Sequence, residues 1–225
     1  MRIILALALG LLNTVTFASN EAETHLIMMI EKYRSLSTYE DNGSSITKFT
    51  SPDGSNFKKE LNFTTKYIEN NSLHFQWIKQ PNELGKKLAK MPEYTGNLGK
   101  PKTYTVWKDK NGAYSSYPFR EKEVYSNLED ALSGATGISS GLASMVPRFL
   151  SPEISCPPKL GAIKSELLKS NPDIILIKQT HSTGGTSTLH IDKSTYLLKE
   201  FETNDNLPNG THTQQIVKYN ITNAK

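Results

Sequence analysis

Apolar and polar positions alternate with a period of two over most of the chain, broken at short intervals by turn residues. The clearest series spans 173–219. Ile174–Gln179 is a short apolar run, and Ser182–Ser187, centred on Gly184-Gly185, is a turn. Thr188–Asp192 alternates, Asp192–Thr195 turns again, and Tyr196–Thr203 is a β-branched and aromatic run. Asn204–Gly210 breaks it, and Thr211–Asn220 closes the series. Runs of strand length joined by turns predict an antiparallel meander. No connection among them is long enough for the helical crossover that parallel strands need.

The first half repeats the pattern. Tyr39–Lys48 and Asn56–Ile68 flank Ser51-Pro52-Asp53-Gly54, and the spacing predicts a hairpin. Phe57, Leu61, Phe63 and Tyr67 share one parity and so one face of a strand, as do Leu73, Phe75 and Trp77 after the Asn70-Asn71 turn. Lys102–Lys108 and Ala113–Tyr117 follow, around Asn111-Gly112.

Three stretches change period. Ala22, Leu26, Met29, Ile30 and Tyr33 form a helical stripe within 20–37, with Asn20 and Glu23 as its capping pair. Ser126-x-x-Glu129 predicts a cap opening a helix over Leu128–Ser133. Leu142, Met145, Val146 and Phe149 recur at helical spacing up to Leu150 despite Pro147, and a further short helix is expected over Leu160–Leu168. The sum is an α+β fold, a curved antiparallel sheet (half-open β-barrel) with short helices covering the concave face.

Composition adds an address. Arg2 precedes the apolar run Ile3–Leu12, and Thr16-Phe17-Ala18 ends in a small residue. This predicts a cleaved signal peptide over 1–18, a single domain over 19–225, and a soluble periplasmic or secreted protein. The apolar run is too short to span a bilayer. Cys156 is the only cysteine, so no intrachain disulfide forms, and its place before Pro157-Pro158 predicts a buried, inert thiol. Net charge is +4. The excess is local: between Lys79 and Lys110 eight lysines face three acids. Region 79–110 is therefore the candidate contact for an envelope membrane or protein partner, and nucleic acid is excluded as a partner.

Candidate chemistry is sparse. Gly137-Ile138-Ser139-Ser140-Gly141 matches the G-x-S-x-G nucleophile pattern, with Asp173 and His181, His190 or His212 following in hydrolase order. The pattern needs a strand before it, and Glu129–Thr136 is small and acidic rather than β-branched. A Ser hydrolase at Ser139 is thus the remote alternative, and no catalytic residue is assigned. The five histidines (25, 74, 181, 190, 212) make no H-E-x-x-H or C-x-x-C-like set, although His181 and His190 can approach across one hairpin. No metal or cofactor is expected.

What remains is apolar surface. Tyr67, Phe75 and Trp77 on the sheet, with Leu142, Met145 and Phe149 on the short helix, are the candidate lining of a ligand cavity. The expected ligand is apolar, a lipid or acyl chain, because burying one needs no reactive group. The alternative is an envelope interaction or sensor domain with the same fold and a filled core.

Several segments resemble the LolA-like superfamily of periplasmic lipoprotein carriers, in its uncharacterised exported branch. They are Tyr33–Asp41 (YRSLSTYED), Phe63–Tyr67 (FTTKY), Gly134–Ile138 with Val146-Pro147-Arg148, and Ile191–Leu198 (IDKSTYLL). The resemblance covers most of the mature chain. It implies a half-open antiparallel barrel with helices as a lid, no enzymatic activity, and carriage of lipid or lipoprotein in outer-membrane biogenesis. One feature departs: the Arg-Pro pair that such carriers place after the F-x-T-x-F-like strand is Asn70-Asn71-Ser72 here.

Overall fold

The computed structural model describes residues 21–91, 97, 99–157, 160–170 and 172–225. The segment expected to be a signal peptide, 1–18, lies outside the described residues, as do Asn20 of the expected capping pair and part of the basic stretch, 92–96 and 98.

Eleven strands form one antiparallel sheet. They are β1 (Thr38–Thr50), β2 (Asn56–Ile68), β3 (Ser72–Lys79), β4 (Lys102–Asp109), β5 (Gly112–Ser116), β6 (Glu123–Tyr125), β7 (Lys164–Ser170), β8 (Ile174–Thr180), β9 (Thr186–Asp192), β10 (Leu198–Asn206) and β11 (His212–Ala224). The order across the sheet is 6-5-4-3-2-1-11-10-9-8-7. The first half is a meander running outward from the centre, the second a meander running inward from the opposite edge, and the long β1–β11 pair joins the halves. β6 and β7 are left as edges, so the barrel is half open. This is the α+β arrangement expected from the sequence, an antiparallel sheet with short helices over one face.

Local chemistry sets the turns. At the β1–β2 hairpin Gly54 takes φ +81°, and Asp53 Oδ1 accepts the Ser55 amide at 2.9 Å. After β9 the Asp192 carboxylate accepts the amides of Ser194 and Thr195 at 3.0 and 2.9 Å. Tyr196 then adopts φ +57°, so β10 starts at Leu198, two residues later than the apolar run predicts. A register shift at Glu40/Asp41 in the β1–β11 ladder bends the central pair.

Helix α1 (Glu21–Arg34) buries Ala22, Leu26, Met29, Ile30 and Tyr33, the expected stripe. It packs against β7 and against α4 (Val146–Phe149). Helix α2 (Glu83–Leu88) lies in the β3–β4 connection. Helix α3 (Leu128–Thr136) covers β4, β5 and β6. Its N-cap is Asn127, whose side chain accepts the Asp130 amide at 2.8 Å. The cap expected at Ser126 is thus displaced by one residue, and Ser126 instead donates to the Asp130 carboxylate at 2.6 Å.

Two helical expectations are corrected. Leu142–Leu150 is not one helix but a 3-10 turn, Leu142–Ser144, followed by α4, with Met145 between them at φ −103°, ψ −119°. Pro147 lies in the first turn of α4, where its missing N–H costs nothing. Residues 164–168 of the helix expected over Leu160–Leu168 belong to strand β7. There Ser165 is buried, Leu167 half-buried, and Lys164, Glu166 and Leu168 exposed, a period of two rather than 3.6.

Candidate functional site

The face of the sheet beneath the helices, its inner face, carries an aromatic floor. Phe75, Trp77 and Tyr104 stack in sequence, the Phe75–Trp77 and Trp77–Tyr104 centroids each 5.3 Å apart. Tyr117 meets Trp77 edge-on at 6.3 Å, and Phe63 lies 6.4 Å from Phe75. Alternation on β2, β3 and β4 puts these rings on one face, as expected.

The floor is roofed by the crossover from β6 to β7. Leu128, Leu132, Leu142, Val146, Phe149, Leu150 and Ile154 are each at most 3% exposed. Of the expected cavity residues, Tyr67, Phe75, Trp77, Leu142 and Phe149 are buried on this inner side and Met145 is half-buried. Met145 and Phe149 line a cavity of about 260 Å³ with Arg148, Cys156 and Leu160. Tyr67 lines another of about 330 Å³ beside Leu73 and Glu153. Phe75, Trp77 and Leu142 line neither, so the structure does not bring the six together around one hollow. Drug-sized ligand pockets run from about 300 Å³ upward, so the space under Met145 falls short of a long acyl chain in this closed arrangement.

Two buried donors on the floor lack a partner among the described residues, Trp77 Nε1 and the Tyr117 hydroxyl. Thr65 Oγ1 and the Tyr219 hydroxyl are likewise unpartnered. An unmet buried polar group costs about 1–3 kcal/mol. Near the middle of the floor Asp41 is buried, its carboxylate accepting the Tyr39 hydroxyl at 2.7 Å and the Thr65 amide at 2.8 Å. Burial pushes its pKa up to about 6, against the pull of those hydrogen bonds.

A polar row bounds the floor at one end. Lys59, Thr47, Gln215, Thr203, Ser187, Gln179 and Ser165 stand directly opposite one another across seven consecutive strands. Gln179 donates to Ser165 Oγ at 3.3 Å, and His181 Nε2 lies 3.0 Å from Ser187 Oγ. The row also holds the roof. Lys59 Nζ donates to Ser140 Oγ at 2.6 Å and to the Ile138 carbonyl at 3.3 Å, and Gln215 Nε2 donates to the Ser140 carbonyl at 3.0 Å. Burial, then the nearby Lys79, lowers the Lys59 pKa. The sequence signal for this row was a polar residue at inward parity in each strand, visible only once the register is known.

The hydrolase motif does not form a catalytic centre. Gly137–Gly141 follows α3 rather than a strand, and Ser139 is fully buried. Its hydroxyl donates to the Thr136 carbonyl at 3.2 Å and accepts the Ala143 amide at 3.1 Å. The histidines named for it lie elsewhere: His181 is at Ser187, His190 beside Glu200 and Glu202, and His212 at Asn206. His181 and His190 sit at opposite parity on one hairpin and do not converge, which corrects the expected approach. Cys156 is a free thiol, half-buried, 3.7 Å from the Arg148 carbonyl, its pKa raised by burial. Within the basic stretch, Lys86 pairs with Glu83 at 2.7 Å and Lys108 pairs with Glu153 of the roof. No helix among the described residues is long and apolar enough to cross a membrane.

No family model matches the chain, and no curated protein matches it. Solved structures do. The chain is similar to a DUF1329 family protein from Desulfovibrio piger at 7% identity, over 90% of this chain and 92% of that one, with a TM-score of 0.36. A LolA superfamily protein from Nitrosomonas europaea matches at 10% identity over 88% and 91%, TM-score 0.29. The MucA/MucB complex from Pseudomonas aeruginosa matches at 12% identity over 91% of this chain and 58% of that one, TM-score 0.41. This likeness concerns the fold alone and carries no functional weight.

Proposed function

We propose that the chain is an exported, non-enzymatic protein that binds a lipid or acyl chain between the aromatic floor and the roof. Tyr67, Phe75, Trp77, Leu142, Met145 and Phe149 then line the cavity. The observation that carries this is the roof's construction. Beside α3, the roof on the inner side of the sheet is only a 3-10 turn and a four-residue helix, joined at Met145.

Magnitudes decide how such a site works. Lifting Leu142, Val146, Phe149 and Leu150 off the floor costs about 6–12 kcal/mol at roughly 1.5–3 kcal/mol per large side chain. A chain of about sixteen carbons returns about 11 kcal/mol at roughly 0.8 kcal/mol per methylene. The two nearly cancel, so the segment stays down when empty and yields when a chain enters. Lifting Leu128, Leu132 and Ile154 as well adds about 5–9 kcal/mol, enough to approach the whole stability of a domain. Helix α3 therefore stays docked while 138–150 moves. Trp77 Nε1 and the Tyr117 hydroxyl are donors that an ester or amide carbonyl at the head of such a chain satisfies. A carrier of lipid or lipoprotein is the use this site serves.

Titration with a fluorescent long-chain acyl probe tests the reading. Saturable binding is expected, lost in Met145→Glu, whose half-buried site leaves the fold intact, and in Trp77→Glu. No saturable binding by the wild type contradicts it.

One observation favours a second reading. Phe75, Trp77, Leu142 and Phe149 are at most 3% exposed, a filled core, while Phe57 and Leu84 are 58% and 61% exposed along a groove of about 700 Å³ with Lys48, Lys58 and Lys86. Apolar and basic groups together suit a partner surface. Under that reading, charge reversal at Lys86 and Lys87 weakens binding of an envelope protein, and the acyl probe does not bind.

A further inference from the structure

The face of the sheet away from the helices is largely polar, and one cluster there gathers ligating groups from two strands. His190 of β9 and Glu200 of β10 are direct cross-strand partners. Glu202 stands two residues further along β10, on the same face. His190 Nε2 lies 3.4 Å from Glu202 Oε1 and 3.9 Å from Glu200 Oε1. One ligand atom from each residue falls within 4.8 Å of the other two. The three side chains are 26%, 23% and 30% exposed, so the cluster is shielded yet open on one side.

Charge at this place is unbalanced. Two carboxylates share one strand face and repel each other. Among the described residues Lys218 of β11, the cross-strand partner of Glu200, pairs with that residue alone, through Oε2 at 3.4 Å. The opposite oxygen, Oε1, is the one that turns to the imidazole. Among the described residues His190 is the ion-pair partner of Glu202.

We propose that His190, Glu200 and Glu202 form a binding site for a divalent transition-metal ion, zinc in the first instance, completed by water. An imidazole nitrogen with carboxylate oxygens is a ligand set zinc accepts, three protein ligands plus an open position. The imidazole argues against magnesium and calcium, which take oxygen sets. Zinc bonds of about 2.0–2.1 Å at tetrahedral angles place ligands about 3.3–3.5 Å apart. The His190–Glu202 distance already matches, and the His190–Glu200 distance is a small side-chain rotation away. Both strands are paired on both sides, β9 by β8 and β10, and β10 by β9 and β11, so the backbone of the site is built before any ion arrives. An ion here joins β9 to β10 on the face opposite the roof, independent of any acyl ligand.

The test is zinc titration of the untagged, chelator-treated and dialysed chain in competition with a chromophoric chelator. One ion per chain at micromolar affinity or tighter is expected. His190→Ala and Glu202→Gln each weaken it at least tenfold, while His25→Ala, on α1, leaves it unchanged. Cobalt gives a second readout: a visible absorption band of low-coordinate nitrogen and oxygen ligation, absent in His190→Ala. Circular dichroism confirms that the variants fold. No zinc bound by the wild type at micromolar concentration, or equal affinity in His190→Ala, overturns the proposal.

Discussion

Lys59 extends from β2 to the roof and donates to the Ser140 hydroxyl at 2.6 Å, tying the sheet to the turn that follows α3. Among the described residues it has no carboxylate partner, and Ser140 itself holds a left-handed φ of +56°. The ammonium is half-buried, so its hydrogen bonds are worth about 1 kcal/mol after solvent screening. Lys59→Met keeps the stem and removes the charge. The expected result is a melting temperature lower by about 2–4 °C. Amide exchange over 138–145 should be faster, with β9–β11 unchanged. Unaltered exchange in that segment contradicts the fastening role.

Asp41 makes stability depend on pH. Burial raises its pKa from 3.8 to about 6, despite the hydrogen bonds from Tyr39 and Thr65. The folded state therefore holds this proton more tightly than the unfolded chain. The contribution is complete below about pH 4 and is lost as pH rises through about 6. Two pKa units correspond to about 3 kcal/mol. Urea unfolding at a series of pH values should show wild type losing about that much relative to Asp41→Asn between pH 4 and 6, with a constant difference above. Parallel curves for the two proteins refute this.

Gly43 sits where the two halves of the sheet meet. A Cβ there would lie 2.3 Å from Phe63 Cζ and 2.4 Å from the Lys218 carbonyl oxygen. The ring can turn, but the carbonyl belongs to the β1–β11 ladder. Gly43→Ala should cost about 2 kcal/mol or more, a fall of about 4–8 °C in melting temperature. Adding Phe63→Leu should recover only part of it, measured by calorimetry.

Much of this architecture was legible because strands report themselves locally. The parity of Leu61, Phe63, Leu73, Phe75 and Trp77 and the Asp53-Gly54 turn need only neighbours to be read. What escaped depends on distant partners. The β1–β11 pairing joins residues at opposite ends of the described chain, and no local signal announces it. Leu160, before β7, and Leu167 and Leu168, within it, mimic helical spacing, and only pairing with β8 decides the matter. The same holds at the sites. The aromatic floor followed from alternation, whereas the polar row, the Lys59–Ser140 contact and the His190–Glu202 approach arise from register. The roof's break at Met145 was masked by apolar spacing that runs through Pro147.

Ser139 should be inert. Its hydroxyl is buried and hydrogen-bonded to backbone at both ends of one turn, with no imidazole among its hydrogen-bond partners. A fluorophosphonate probe is expected to leave the folded protein unlabelled. Ser139→Ala should cost about 1 kcal/mol of stability through the lost hydrogen bonds and leave acyl-probe binding unchanged. Stoichiometric labelling at Ser139 would reinstate the hydrolase alternative.

In the proposed complex a hydrocarbon chain takes the place of Leu142, Met145 and Phe149 on the inner side of the sheet. Native mass spectrometry of the protein purified from its host's envelope addresses it directly. The expected result is a population heavier than the polypeptide by the mass of a lipid or acyl species, released on denaturation and absent from Met145→Glu. A single peak at the bare polypeptide mass, from protein still able to unfold cooperatively, contradicts it.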